Sequence, residues 1–227
     1  VVSTVNPAFI EIVQRLPKAD LHCHLDGSLR PSTLLELSVE RGLALPESTA
    51  SALGAWMRVD DARHLEDYLA RFEVTLAAMQ DAVALERIAH EFVLDAALDG
   101  VRYIEARFCP ALNVRRGLSL DEVMQAVLRG LARGQKETGT LARVIVCALR
   151  SIAWPHALEM AELAVAFQGK GVVAFDLAGG ELGNPASDHA LAFDFARQHD
   201  LAVTVHAGEG DGPASIREAL HQCGAHR

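Results

Sequence analysis

Positive charge is in short supply in this sequence: 21 lysines and arginines stand against 30 aspartates and glutamates, a formal net charge of −9 at pH 7. A surface of that sign repels phosphate backbones and anionic membrane faces, so neither nucleic acid nor membrane is an expected partner. Cysteine is scarce too. The four thiols, Cys23, Cys109, Cys147 and Cys223, are widely scattered and form no CxxC pair. A chain this long needs no stapling, so reduced thiols and a cytoplasmic location are expected. No apolar run approaches the ~18 residues of a membrane span. Residues 1–16 lack the basic segment and apolar stretch of an export signal, which predicts a soluble, unexported protein. Low-complexity tracts, charge blocks and near-identical repeats are missing, which excludes disordered and simple repeat architectures. Neither GxGxxG nor GxxxxGK(S/T) follows the first β-rich run, so the usual nucleotide-cradling loops are absent and any chemistry must arise elsewhere.

At 227 residues and roughly 150 residues per domain, the chain suits one large domain or two small ones. Hydrophobic residues make up 50% and charged residues 22%, the balance of an ordinary globular domain with a sizeable core. A short β-rich apolar run followed by a stretch of helical period recurs five times. The strand-like runs are 19–24, 101–108, 142–149, 172–177 and 201–206. Most are too apolar to have one wet face, as parallel strands buried on both sides require.

The intervening helices carry readable ends. Pro31 and Gly42 bracket Leu34, Leu35 and Leu37, with proline suited to a first turn and glycine to the position past a last one. Leu65, Tyr68, Leu69, Phe72, Leu76 and Met79 recur at steps of three and four, which predicts one continuous helical face. A helix over 82–99 stops at Gly100, Ser119 and Glu122 form a capping-box pattern, Pro155 opens a further helix, and 213–223 ends before Gly224. Alternating βα units imply a parallel sheet, either an open doubly wound sheet or a (β/α)₈ barrel, and periodicity leaves both open.

The first run ends in Leu21-His22-Cys23-His24-Leu25-Asp26-Gly27. Side chains alternate along a strand, so His22 and His24 point the same way and Cys23 points opposite, into the core. Neutral imidazoles paired on a strand suit Zn²⁺. The pattern is weak alone, because ten histidines in 227 residues give about 0.4 such pairs by chance. The fifth run ends in Thr204-Val205-His206-Ala207-Gly208-Glu209, where a barrel places its working residues and Gly208 lets the backbone turn Glu209 toward the mouth. Taken singly, His206 reads as well as a hydrogen-bonded core residue, and Glu209 as a solvated loop acid. Their arrival at the same strand ends as His22 and His24 favours a site. The fourth run ends in Asp176 and the pair Gly179-Gly180 before Glu181; the glycines allow a planar ligand close to the backbone, or simply make the turn. A two-metal site would often use a modified lysine where Asp176 stands, so one metal is expected.

LPKADLHCHLDGSLRP, YIEARFCP, VVAFDLAGGE and VTVHAGEG, in this order and spacing, resemble the adenosine deaminase family of the amidohydrolase superfamily from about Leu16 to the end of the chain. The resemblance implies a TIM (β/α)₈ barrel of which residues 1–227 supply about five βα units, the N-terminal portion of a single metal-dependent hydrolase domain with a lid insertion at about 43–80. It implies one zinc ion on His22, His24 and His206, with Glu209 protonating the purine ring nitrogen beside the attacked carbon and kept protonated by burial. It assigns substrate contacts to His24, to the Gly179 backbone, to Asp26 at a ribose hydroxyl, and to Leu65, Tyr68, Leu69 and Phe72 in the lid; for the lid residues, packing that segment onto the barrel is the alternative.

The implied reaction is hydrolysis of adenosine and deoxyadenosine to inosine and ammonia in purine salvage, with a small purine nucleoside as partner. LDGS resembles the nucleoside enzymes, whereas relatives acting on adenine tend to resemble LEGS, so adenine or an aminofutalosine-type nucleoside is the nearest alternative. A noncatalytic zinc-binding or interaction fragment, and another amidohydrolase acting on cyclic amides or phosphoesters, are the others. Five units use about 45 residues each, so three more would need roughly 135 beyond Arg227. They would bring the family's later catalytic histidine and metal-binding aspartate. A five-stranded open barrel leaves apolar edges exposed, and we therefore expect a fragment whose missing C-terminal segment, or another chain, closes the barrel.

Overall fold

The β-rich runs pair as parallel strands in the order β1-β2-β3-β4-β5, and the helical stretches between them return the chain to the start of the next strand. A computed structural model describes residues 6–60 and 64–227. Helix α1 (Pro7–Arg15) leads into β1 (Lys18–His24); α2 (Pro31–Arg41), α3 (Ala50–Met57), α4 (Leu65–Leu69), α5 (Phe72–Ala78) and α6 (Ala82–Leu98) precede β2 (Val101–Phe108). Then come α7 (Leu120–Thr138), β3 (Leu141–Leu149), α8 (Trp154–Ala166), β4 (Val172–Ala178), α9 (Ala190–Gln198), β5 (Ala202–Val203) and α10 (Gly212–His221). This is the βα succession of a TIM barrel over five units. Among the described residues, no helix is long and apolar enough to cross a membrane.

The anticipated helix ends are present. Pro31 opens α2 and Gly42 closes it in the left-handed conformation, and both bonds of the Ser119–Glu122 capping box form at α7. Strands β2, β3 and β4 are buried along most of their length. Their outer side chains pack with Leu85 and Ile88 of α6, Met124 and Val127 of α7 and Phe193 of α9 in one apolar core, where the Phe175 and Phe193 rings lie 5.2 Å apart.

Three expectations need correction. β1 is not buried on both faces; Leu21 and His22 are exposed, because β1 pairs only with β2 among the described residues. The predicted helical face from Leu65 to Met79 is not continuous: α4 ends at Leu69 and α5 starts at Phe72. Arg71 sits at that break, donating to Trp56 O at 2.8 Å with its guanidinium 4.1 Å from the Trp56 ring, a tertiary contact that the helical period does not encode. Regular pairing of the fifth strand covers two residues, not 201–206. The backbone nevertheless stays in register with β4, since Thr204 N–H donates to Phe175 O at 2.9 Å and His206 N–H to Leu177 O at 3.0 Å. On its other side, His226 N–H donates to Val203 O and Val205 N–H to Arg227 O.

The register aligns the C-terminal ends of the strands. His24 pairs with Arg107, Cys147 with Asp176 and Phe175 with Val203. The ends of β1 to β5 are therefore brought to one side of the sheet.

Candidate active site

His22 and His24 point to the same side, and the register shift in β1 between Asp20 and Cys23 encompasses the first of them, as bulges near sites commonly do. His206 meets both rings. Its Nε2 lies 3.0 Å from His22 Nε2 and 3.1 Å from His24 Nε2, and the three ligand atoms all lie within 4.8 Å of one another. Nitrogens about 2.0–2.1 Å from a tetrahedral zinc ion are themselves about 3.3 Å apart. The imidazole spacing thus suits a single cation between the rings.

The opposite nitrogen of His206 is committed. Nδ1 stands 3.0 Å from Asp176 Oδ2 and 3.3 Å from Leu177 O, so it carries a proton, and Nε2 is the nitrogen that faces the other histidines. Burial disfavours the charged His206 ring, but the Asp176 charge and hydrogen bond outweigh it and raise its pKa. Burial, together with the neighbouring His206 and Arg107 charges, pushes His24 down to about 3. His22 is lowered as well, by burial and then by Arg107 and His206. Two rings are therefore neutral at pH 7, the form in which imidazole binds metal.

Asp176 organises this centre from behind. Wholly buried, it accepts from Thr204 Oγ1 at 2.8 Å, Cys147 Sγ at 3.2 Å and Arg107 at 3.2 Å. Burial alone would raise its pKa, but His206, Arg107 and Cys147 hold it well below the usual carboxylate range. Arg107 also donates to Leu21 O at 2.9 Å, which ties β1 beside His22 to β2 and β4. From sequence, Asp176 bears only on the number of metals and Arg107 has no assigned role. A signal was available: Asp176, Arg107 and Thr204 are polar residues inside runs otherwise too apolar to be solvated, and such groups must find partners.

All of the sequence-predicted site residues border one cavity of about 930 Å³ at the strand ends: His22, His24, Asp26, Leu65, Tyr68, Leu69, Phe72, Gly179, His206 and Glu209. Asp26 is buried with one oxygen, Oδ1, lacking a hydrogen-bond partner. Burial raises its pKa to about 7 against the opposing pull of the Asp26 and Gly27 backbone N–H groups. Tyr68 and Phe72 meet edge to face with centroids 5.3 Å apart, and Phe72 lies 6.2 Å from the His24 ring. The Tyr68 hydroxyl has its pKa raised by burial and then by the Asp26 and Glu209 charges. Gly179 has φ +100°, a backbone conformation side chains resist.

Two placements differ from expectation. Cys23 packs against the core only in part; its thiol, 3.4 Å from Ser28 Oγ, also borders the cavity. Glu209 is exposed at the rim rather than buried, because it sits on a turn that carries it out past the strand end.

The sequence matches the family model "Adenosine deaminase" over residues 17–227. An adenosine deaminase of Mycobacterium avium is 46% identical over 226 residues, 97% of this chain and 62% of that protein. Among solved structures, an amidohydrolase from Burkholderia ambifaria with bound Zn superposes with a TM-score of 0.85 at 25% identity, covering 100% of this chain and 62% of that one. An adenine deaminase from Arthrobacter aurescens does so with a TM-score of 0.82 at 27% identity, covering 93% of this chain and 63% of that one. The chain thus spans about 62% of the length of the curated relative it matches. On the family match, the relative's identity and the TIM-barrel likeness together, the chain belongs to the adenosine deaminase family.

Proposed function

We propose that this chain carries the zinc- and substrate-binding part of an aminohydrolase that converts adenosine and deoxyadenosine, with water, to inosine or deoxyinosine and ammonia. The observation that carries the reading is the convergence of three Nε2 atoms at a cavity that Glu209 also borders. His22, His24 and His206 would hold the metal, and the donor set fits it: imidazole nitrogens only, two of them on neutral rings, the third with its far nitrogen engaged by Asp176. Zinc bound there supplies Lewis acidity that activates water near neutral pH.

Glu209 donates a proton to the ring nitrogen adjacent to the attacked carbon, which draws off the negative charge that develops during attack. The purine covers Glu209 when it binds, shielding the exposed acid from bulk water. Asp26 presents its free oxygen to a ribose hydroxyl, and Gly179 lets the purine approach the backbone. Leu65, Tyr68, Leu69 and Phe72, on α4 and α5 within a lid formed by 43–80, cover the substrate with His24 and keep bulk water out. The edge of β1 left unpaired among the described residues and the bonds from β5 to His226 and Arg227 support a barrel completed by a C-terminal segment or another chain. Four free thiols support a cytoplasmic setting.

The test uses protein expressed from its complete reading frame and loaded with zinc. Loss of near-ultraviolet adenosine absorbance, abolished by a chelator and restored by Zn²⁺, is the expected result. Faster turnover of adenine than of adenosine would move the assignment to a nucleobase deaminase. No turnover of either would overturn the reading in favour of a binding module.

A further inference from the structure

Glu181 closes the VVAFDLAGGE motif, and the proposed chemistry gives it no part. It is 3% exposed, and among the described residues no arginine or lysine forms an ion pair with it. Instead its two oxygens collect donors from the segment after β5. Oε1 accepts from Gly208 N–H at 2.6 Å and from Ser215 Oγ; Oε2 accepts from Gly210 N–H at 2.5 Å and Asp211 N–H at 3.0 Å. Glu209 lies between two of these donors. Successive backbone N–H groups wrapped around an anion form a rigid concavity, and here the anion is supplied by the chain itself.

The loop has a second point of attachment. Arg150, at the end of β3 and buried, donates to His206 O and at 3.0 Å to Asn184 O. His206 is thus held by Arg150, Asp176 and the β4 ladder, whereas residues 208–211 are held by Glu181. Gly208 makes the turn possible: its φ is +81°, and a Cβ there would lie 2.5 Å from Ile216. Both amides flanking Glu209 are thereby held by the Glu181 carboxylate.

We infer that Glu181 is a positioning residue that acts through Glu209, clamping the loop after β5 so that the acid stands at the rim of the cavity that the three histidines also border. This rests on the role proposed above for Glu209. Ionisation of Glu181 agrees with it: burial pushes its pKa up, but Ser215 and the Gly210, Gly208 and Asp211 amides pull it below the usual value.

The test compares Glu181→Gln, Glu209→Gln and the double variant in zinc-loaded protein from the complete reading frame, reading zinc content, kcat and KM for adenosine, and amide exchange over 208–211. Glutamine keeps the size of the side chain but turns one acceptor into a donor facing donors. Loss of positioning of this kind costs about 10²-fold in rate. We expect kcat of Glu181→Gln to fall by that order with zinc at one per chain and KM within about threefold of the parent, the signature of a group needed in the transition state. Exchange over 208–211 should quicken, and Glu181→Gln should add less than about threefold to the loss already caused by Glu209→Gln, because groups acting as one unit are not additive. Ser215→Ala, which removes a single donor to the same carboxylate, should give the same pattern in smaller size and serves if Glu181→Gln does not fold. The inference is overturned if kcat is unchanged, if zinc is lost in step with activity, or if the two losses multiply in full. Should the parent protein fail to act on adenosine, the proposed function falls; exchange that still quickens in Glu181→Gln would then keep the clamp, and unchanged exchange would remove it too.

Discussion

Replacing Asp176 by asparagine tests the wiring behind the metal centre. Four donors converge on this carboxylate: His206 Nδ1 at 3.0 Å, Thr204 Oγ1 at 2.8 Å, Cys147 Sγ at 3.2 Å and Arg107 at 3.2 Å. Asparagine offers one acceptor oxygen and places an NH₂ among the remaining donors. His206 then loses the partner that keeps its proton on Nδ1, and the tautomer with Nε2–H facing the centre cannot bind metal. Loss of an outer partner of this kind weakens metal affinity by about 10–100-fold. Asp176 is 0% and Arg107 2% exposed, so the substitution also leaves a buried cation without its counter-charge, which costs about 3–5 kcal/mol of stability. Zinc affinity is read by competition with a chromophoric chelator, and stability by urea unfolding with chelator present. Zinc affinity within threefold of the parent would refute the argument that Asp176 sets the tautomer, whatever the stability change; Cys147→Ser, which keeps a donor in place, should leave affinity nearly intact.

Other consequences are as direct. Glu209→Gln should retain zinc and lose about 10²–10⁴-fold in kcat, the range of a general acid, in a steady-state assay with metal analysis on the same sample. Asp26→Ala should raise KM for adenosine at least tenfold while leaving any turnover of adenine unchanged, since adenine has no sugar to contact; equal effects on both would place Asp26 elsewhere. Gly208→Ala should lower stability by about 1–3 kcal/mol, the usual cost of forcing a side chain into a strained backbone region, as measured by chemical unfolding, because φ is +81° and Ile216 occupies the space.

Residues whose roles follow from local pattern were legible before the structure. His22 and His24 share a face by strand alternation, and Ser119, Glu122, Pro31 and Gly42 mark helix ends through backbone bonding alone. β2, β3 and β4 were bounded to within a residue because apolar runs flanked by glycine or polar turns leave little choice. The division of residues 65–79 into α4 and α5 was not legible; the Arg71 side chain at the break reaches Trp56, a contact fifteen positions away that no helical period encodes. Exposure of Leu21 and His22 depends on how many strands flank β1, a property of the sheet rather than of the run. Asp176, Arg107 and Glu181 escaped for a related reason: each acts on residues from other strands, and only the register that levels the strand ends brings their partners within reach. Their presence as lone charges beside apolar runs was the one local hint.

X-ray absorption at the zinc edge addresses the central claim, that three imidazole nitrogens from β1 and the end of β5 converge on one ion. In zinc-loaded protein the account predicts nitrogen scatterers at about 2.0–2.1 Å with the outer-shell pattern of imidazole, and loss of stoichiometric zinc in His206→Ala. A sulfur shell at about 2.3 Å, drawn from Cys23, Cys109 or Cys147, which also border the cavity, or full zinc occupancy without His206, would contradict it.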